Sequence, residues 1–148
     1  MTDTAIRRAT LDDLDSIAPL FDAYRVFYHQ PTDVDRARDF LYERMQNAES
    51  VVLVAERNNA IVGFTQLYPI FSSVRTARTW LLNDLFVHAD ARRHGVANAL
   101  LDGAADFARE QGAASLMLET TTDNGPARAL YRAAGWHEDD TQWYSLST

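Results

Sequence analysis

The sequence contains no cysteine, which excludes a disulfide framework, a cysteine nucleophile and a thiolate metal site. It also contains no apolar run of membrane-spanning length, so it predicts neither a transmembrane helix nor a membrane partner. The first residues, Met1 to Thr4, are polar and acidic, unlike the start of a secretory signal peptide. Together these absences favour a reducing, cytoplasmic location.

Positive charge is also scarce, because 14 lysines and arginines face 21 aspartates and glutamates, for a formal net charge of −7. Proteins that bind nucleic acid present a basic face, so this balance argues against a nucleic-acid partner. An acidic protein attracts cationic substrates, although acidity also simply aids solubility. The histidines show no metal-binding spacing, so we expect no metal; they are His29, His88, His94 and His137.

Hydrophobic residues make up 47% of the chain and charged residues 24%, as in ordinary globular domains. The 148 residues are enough for one domain with its own core, and no repeat or linker divides them. We therefore expect a single domain over residues 1–148. The apolar spacing predicts the order β, α, α, β, β, β, α, β, α, β, which is a mixed α/β class.

Two helix starts and one late strand are specific enough to be tested. Thr10 is predicted to cap the first helix with Asp13 as its capping-box partner, and Thr32 to cap the second with Asp35. The pattern of residues 141–146, Thr-Gln-Trp-Tyr-Ser-Leu, predicts a final strand.

The most informative stretch is a basic turn, Arg-Arg-His-Gly-Val-Ala at residues 92–97, between an apolar strand and an amphipathic helix. The first N–H groups of a helix lack partners within it, and the helix dipole favours an anion there. Gly95 lets the backbone approach a ligand, and Arg92 and Arg93 can donate charge-assisted hydrogen bonds to phosphate. The turn predicts a phosphate-binding loop; a helix start with two exposed arginines is the simpler alternative.

A second informative stretch follows a predicted strand at residues 115–120. Asp123 or Asn124 suits the cap of a helix, Pro126 suits its first turn, and Gly135 suits its end.

These two stretches resemble the paired motifs of the GNAT superfamily of acyl-CoA-dependent N-acetyltransferases, and look most like its histone and polyamine branch. Arg92-x-x-Gly95-x-Ala97 is similar to the pyrophosphate loop Gln/Arg-x-x-Gly-x-Gly/Ala. The run from Asn124 to Trp136 matches the signature Asn-x-x-Ala-x-x-Leu-Tyr-x-x-x-Gly-Trp/Phe at every position. The resemblance implies a twisted mixed sheet flanked by helices, splayed between its fourth and fifth strands, with acetyl-CoA in the opening.

The resemblance also implies which residues bind the cofactor. They are Leu85, Phe86, Val87, Arg92, Arg93, His94, Gly95, Val96, Ala97, Asn124, Ala127 and Tyr131. A backbone N–H near Phe86 or Val87 would stabilise the oxyanion. Core packing of strand 82–87 is compatible with this role, and a pure helix cap is the alternative for Asn124.

Tyr131 is the implied general acid, with a buried core tyrosine as its alternative. The resemblance to diamine acetyltransferases implies a glutamate where this chain has Asn83, and an amide cannot act as a base. Asp84 and Glu119 are therefore the candidate bases; a core ion pair with arginine and a solvent-facing position are their respective alternatives. Successive strand residues face opposite sides, so Asn83 and Asp84 are not expected to share one pocket.

The acceptor side is the least determined part of the site. Tyr24, Tyr28, His29 and Asn83 are candidates, although an aromatic stripe at helical spacing is also typical of a core. The resemblance implies direct attack of a primary amine on acetyl-CoA in a ternary complex, with a small amine or polyamine as acceptor and a homodimer as in many relatives. A protein lysine or N-terminal amine is the alternative acceptor, and a non-catalytic acyl-CoA-binding module is the alternative function.

Overall fold

A computed structural model describes residues 3–148, so Met1 and Thr2 of the polar start lie outside the described residues. Five strands form one sheet in the order β1-β2-β3-β4-β5; β1 to β4 are antiparallel and β5 runs parallel to β4. The elements are β1 Ala5–Arg8, α1 Leu14–Phe27, α2 Val34–Gln46, β2 Val51–Arg57, β3 Ala60–Ser72, β4 Ala77–Val87, α3 Val96–Glu110, β5 Ser115–Met117 and α4 Gly125–Ala133. None of the helices in residues 3–148 is long and apolar enough to cross a membrane.

The sheet is packed on both faces, as the side chains of β2 show. Val52 and Val54 point into a core shared with α1 and α2, where Leu14 and Leu41 are buried. Leu53 and Val51, which alternate with them, point the other way, into a core that includes α3. Alternating burial on two faces explains why β2 reads as a continuous apolar run.

The sheet opens between β4 and β5, as the family resemblance implied. These strands pair only at Thr79–Ser115, Trp80–Leu116 and Leu81–Met117. β4 continues to Val87, but β5 ends at Met117, three residues before the predicted end of that strand. The second half of β4 therefore borders a gap instead of a neighbouring strand.

The capping box at the first helical segment is confirmed. Thr10 N donates to Asp13 Oδ2 at 2.8 Å, and the helical segment begins with a short 3-10 turn. The Asp13 carboxylate also accepts two hydrogen bonds from Arg7, each 2.8 Å long. The hydrogen bond with Arg7 lowers the pKa of Asp13 to about 2.

The predicted cap of the second helix is wrong by one residue. Asp33 caps α2 and accepts a hydrogen bond from Arg36 N at 3.0 Å. Thr32 Oγ1 instead donates to Asp22 Oδ2 at 2.6 Å, and Asp33 N donates to the other oxygen of that carboxylate at 2.7 Å. A buried carboxylate such as that of Asp22 must be hydrogen-bonded, and the Thr32 hydroxyl donates to it instead of capping α2. The predicted capping box between Thr32 and Asp35 is therefore absent.

The predicted final strand is also wrong for this chain. Residues 141–146 form no strand, and residues 137–148 are all exposed. Trp143, Tyr144 and Leu146 are exposed by 75%, 88% and 87%. A strand needs the backbone of a neighbour to pair with, and within residues 3–148 the sheet ends at β5.

Candidate active site

A cavity of about 640 Å³ fills the opening between β4 and β5. Its volume lies in the range of small-molecule and cofactor sites. Eleven of the predicted cofactor residues line it: Leu85, Phe86, Val87, Arg92, Arg93, Gly95, Val96, Ala97, Asn124, Ala127 and Tyr131. The structure thus brings together two sequence motifs that lie about thirty residues apart in the chain.

Gly95 turns the chain into α3 at one end of this cavity. Its φ of 74° lies in the left-handed region, and it is the N-cap of the helix. Arg93, two residues earlier, also has a positive φ, of 66°. These two turns leave the first N–H groups of α3 at the cavity wall, where they can receive an anion.

Arg92 joins the loop to the end of β4. Its Nε donates to Val87 O at 3.1 Å, and its guanidinium lies 5.5 Å from the centre of the Phe86 ring. The contact uses one of the five guanidinium N–H donors, so four remain for an anion. Arg92 therefore combines a structural contact with an available positive charge.

Two predicted site histidines are not brought to the cavity. His94 is exposed and does not line it, although its neighbours in the loop do. His29 follows α1 with a φ of 66° and lines neither this cavity nor the smaller one described below. His94 was predicted because it lies within the loop motif, and His29 because it lies next to the aromatic stripe. Closeness in sequence does not bring either side chain to the cavity.

A β-bulge changes the geometry of the polar pair in β4. Leu82 pairs with Leu67 and Asp84 pairs with Gln66, so Asn83 is an extra residue without an opposite partner in the register. A bulge disrupts strict alternation of side chains. Asn83 and Asp84 consequently line the same small cavity, and the expectation that they could not share a pocket is wrong.

Asp84 is 2% exposed and is held by two amides, not by an arginine. Gln66 Nε2 donates to Oδ2 at 2.6 Å, and Asn83 Nδ2 donates to Oδ1 at 2.7 Å. Burial raises the pKa of Asp84, because desolvation outweighs these hydrogen bonds. The alternative of a core ion pair with arginine is thereby excluded.

The smaller cavity, about 410 Å³, lies on the α1 and α2 side of Asp84. It shares Tyr24, Tyr28 and Asn83 with the larger cavity, so the two meet at these side chains. Tyr24 OH donates to Asn83 O at 3.3 Å. The walls of the smaller cavity include the aromatic residues Phe21, Phe40 and Tyr68 and the arginines Arg25 and Arg36.

The hydroxyls of Tyr24 and Tyr68 stay protonated at neutral pH. Burial, with the nearby carboxylate of Asp84, raises the pKa of Tyr68 to about 12 and raises that of Tyr24 further. Both can therefore act as neutral hydrogen-bonding groups beside Asp84.

Tyr131 is half-buried in the wall of the larger cavity, on α4. Its ring centre lies 6.2 Å from that of Trp136, and burial raises the pKa of its hydroxyl. Asn124 begins the same helix, where its Oδ1 accepts from Ala127 N at 3.3 Å. The cap commits the amide oxygen of Asn124, while its NH₂ group can still donate to a ligand.

The two candidate bases occupy different cavities. Glu119 is exposed and lines the larger cavity with Tyr131, whereas Asp84 lines only the smaller one. Asn83 lies between them because it lines both.

Sequence reasoning missed Gln66, Tyr68 and Phe40. Gln66 is fully buried, and its Nε2 donates to Asp84. Its Oε1 has no hydrogen-bond partner among the described residues. A polar residue inside the apolar run of β3 was the available signal. The pairing of Gln66 with Asp84 depends on the register of β3 and β4, which the pattern did not provide.

Comparison with known proteins agrees with this geometry. The sequence profile of the Acetyltransferase (GNAT) family matches residues 14–136. An uncharacterized N-acetyltransferase of Bacillus subtilis, YhfO, is 49% identical over 134 residues, which cover 90% of each chain.

Solved structures show the same fold. The crystal structure of a probable acetyltransferase is 40% identical, has a TM-score of 0.93 and covers 97% of both chains. A predicted acetyltransferase from Clostridium acetobutylicum, solved with acetyl-CoA, is 18% identical with a TM-score of 0.77, covering 98% of this chain and 96% of the other. The chain therefore belongs to the GNAT family and is an acetyl-CoA-dependent N-acetyltransferase.

Proposed function

We propose that residues 1–148 form one cytoplasmic N-acetyltransferase domain that transfers the acetyl group of acetyl-CoA to a small primary amine. The observation that carries the proposal is the meeting of two cavities at Asn83. One holds the phosphate-binding loop and Tyr131, and the other holds the buried Asp84 among aromatic rings. This arrangement separates the cofactor side from the acceptor side while keeping them in contact.

The residues of the larger cavity fit acetyl-CoA. The guanidinium groups of Arg92 and Arg93, with the first N–H groups of α3, suit a pyrophosphate. The left-handed Gly95 brings the main chain close to it without a side chain in between. When bound, acetyl-CoA supplies a thioester as the acetyl donor.

The open side of β4 can hold the pantetheine arm and polarise the thioester. His88 N donates to Val62 O on β3 at 2.7 Å. Because N–H groups alternate between the two sides of an extended strand, those of Leu85 and Val87 point away from β3, toward the opening. We assign oxyanion stabilisation to Val87 N–H, in preference to Phe86.

The smaller cavity suits a cationic amine. The carboxylate of Asp84 and the rings of Tyr24, Tyr28 and Phe40 can contact an ammonium group. Two arginines also line this cavity: Arg25, which pairs with Asp22, and Arg36. The net charge of −7 would attract such a substrate. The single carboxylate suits one ammonium group, so these features favour a small primary amine, with a polyamine as one member of that class.

The reaction needs a base for the amine and an acid for the departing sulfur, and the two cavities supply one each. Asp84 takes the proton that the ammonium must lose, and its raised pKa improves it as a base. The amine nitrogen forms a bond to the acetyl carbon as the bond from that carbon to sulfur breaks. Tyr131 donates its proton to the departing sulfur, and its oxygen takes up, through solvent, the second proton that the acetylated nitrogen loses. Glu119 is the alternative base, reaching the amine from the cofactor side through water.

Thiol release from acetyl-CoA, measured against polyamines, amino acids, aminoglycosides and lysine peptides, tests the proposal. We expect turnover with small primary amines. Turnover with peptides alone would replace the acceptor by a protein amine. Binding of acetyl-CoA without turnover on any amine would favour the non-catalytic module.

A further inference from the structure

The smaller cavity carries opposite charges at its buried end and at its rim. Asp84 is the one carboxylate among the described residues that line it, and it is buried. Arg25 and Arg36 line the same cavity from α1 and α2, and Arg36 is exposed to solvent. Neither arginine neutralises Asp84, because the oxygens of that carboxylate accept hydrogen bonds from two amides. A ligand that fills the cavity therefore meets a negative group inside and positive groups at the mouth.

Arg36 carries a positive charge without a partner. Its side chain has no ion pair and no hydrogen bond within residues 3–148, and only its main-chain N–H is engaged, by the Asp33 cap. It lies in the first turn of α2, where the helix dipole favours acidic side chains and disfavours cations. The charge of Arg36 therefore does not stabilise the helix, and it is available to a ligand of the cavity.

Arg25 also keeps hydrogen-bond donors for a ligand. Its Nη1 lies 3.6 Å from Asp22 Oδ1, which is longer than a hydrogen bond. The two oxygens of Asp22 already accept shorter bonds, of 2.6 Å from Thr32 and 2.7 Å from Asp33. Arg25 Nη1 also donates to Pro31 O at 3.5 Å. A guanidinium group has five N–H donors, so most of those of Arg25 stay free.

We propose that the acceptor is an ω-amino acid, a primary amine whose carbon chain ends in a carboxylate, with its amine at Asp84 and its carboxylate at Arg25 and Arg36. This inference rests on the proposed function, because it names the acceptor class of the same site. The planar guanidinium of arginine matches a carboxylate and donates paired hydrogen bonds to it. Phe21 and Phe40, which also line the cavity, suit the methylene groups of such a chain.

The same charges discriminate against a diamine. A second ammonium group at the rim would meet the two guanidinium groups, and like charges brought together disfavour a wrong ligand. An alkylamine without a second charge would lose the hydrogen bonds to arginine but would meet no repulsion. We therefore expect kcat/KM to be highest for the amino acid, lower for the alkylamine and lowest for the diamine.

Acceptors of matched chain length test this order. Thiol release at saturating acetyl-CoA gives kcat/KM for γ-aminobutyrate, n-butylamine and putrescine, and for the longer set δ-aminovalerate, n-pentylamine and cadaverine. In at least one set the amino acid should exceed the alkylamine by about tenfold or more, since hydrogen bonds between charged groups contribute that much. Turnover with equal efficiency for all three members of both sets would overturn this inference alone. Absence of turnover with every amine would overturn the proposed function as well.

Arg36→Glu tests the residue by reversing the charge at the rim. The variant should fold, with unchanged far-ultraviolet circular dichroism, because glutamate is favoured in the first turn of a helix. We expect γ-aminobutyrate to lose about tenfold or more in kcat/KM relative to n-butylamine, and putrescine to gain relative to it.

Arg38→Glu is the matched control. It makes the same change of charge on the same helix, but Arg38 does not line the cavity. This variant should keep the order of acceptors found for the wild-type protein. If Arg36→Glu also keeps that order, the assignment of the carboxylate site is wrong.

Discussion

Asn83 donates a hydrogen bond of 2.7 Å to Asp84, its own neighbour in β4, and this contact exists because a bulge turns both side chains toward one cavity. Asn83 is the extra residue of the bulge and lines both cavities. Its amide is one of the two that hold the buried carboxylate of Asp84. Asn83, where the family resemblance would place a glutamate, is thus an amide that supports the next residue.

Asp84→Asn tests the proposed base. We expect turnover to fall by about 10² to 10⁴, since this is the usual contribution of a general base. Affinity for acetyl-CoA should be unchanged, because Asp84 does not line the larger cavity. Asp102→Asn, an exposed carboxylate on α3, is the matched control. Retained turnover in Asp84→Asn would move the role to Glu119.

The same variant has a predicted effect on stability. The pKa of Asp84 is raised by burial, so the folded state holds its proton more tightly than the unfolded state. The stability of the wild-type protein should therefore decrease as the pH rises toward and through that raised pKa. Asp84→Asn removes this dependence and should melt above the wild-type protein at pH 8. Calorimetry at pH 5 and pH 8 measures the difference, and equal pH dependence in both proteins would contradict it.

Gly95→Ala tests the phosphate-binding loop. An alanine at a φ of 74° costs about 1 kcal/mol of strain, and the loop relieves it by moving its N–H groups. Gly112→Ala is a close control, because Gly112 has a φ of 69° at the other end of α3 and both sites have open space for a methyl group. Both variants should lose similar stability, but only Gly95→Ala should lose acetyl-CoA affinity in calorimetric titration. Equal affinities would refute the loop assignment.

Tyr131→Phe tests the proposed general acid. We expect kcat to fall by about 10² to 10⁴ while acetyl-CoA affinity stays nearly constant. The raised pKa of Tyr131 keeps its hydroxyl protonated, so the wild-type rate should not decline through loss of this proton below about pH 10. Tyr42→Phe, on the exposed side of α2, controls for loss of a hydroxyl. If kcat survives, solvent protonates the leaving sulfur.

Asp13→Asn tests the ion pair that joins β1 to the first helical segment. The pKa of Asp13 is lowered to about 2, so its contribution is present above the unfolded value of 3.8 and is lost as the pH falls through 2. We expect the variant to be less stable by about 1–2 kcal/mol at pH 7 and nearly equal to the wild type at pH 2. Urea unfolding at both pH values measures this. The exposed Asp12→Asn should show no such trend.

The cofactor side could be predicted from the sequence because its signals are local. Two short motifs determine where the helices begin without help from distant residues. One is a glycine with basic neighbours, and the other is an asparagine cap. Eleven of the predicted residues accordingly line one cavity.

The acceptor side could not be predicted in the same way, because it depends on register. The bulge at Asn83 and the pairing of Gln66 with Asp84 follow from how β3 and β4 align. Thr32 likewise does not cap α2, because its hydroxyl donates to Asp22, ten residues earlier. The strand pattern of residues 141–146 is real, but a pattern cannot supply the partner that a strand requires.

The opening beside β4 has a consequence for how such enzymes diversify. In the proposed mechanism the group that polarises the thioester is the main-chain N–H of Val87, which most amino-acid replacements at that position would preserve. In the same proposal the acceptor is recognised by side chains from α1, α2 and β3, which mutation can change one at a time. New acceptors can therefore evolve at the aromatic cavity while the acetyl-transfer chemistry is inherited intact.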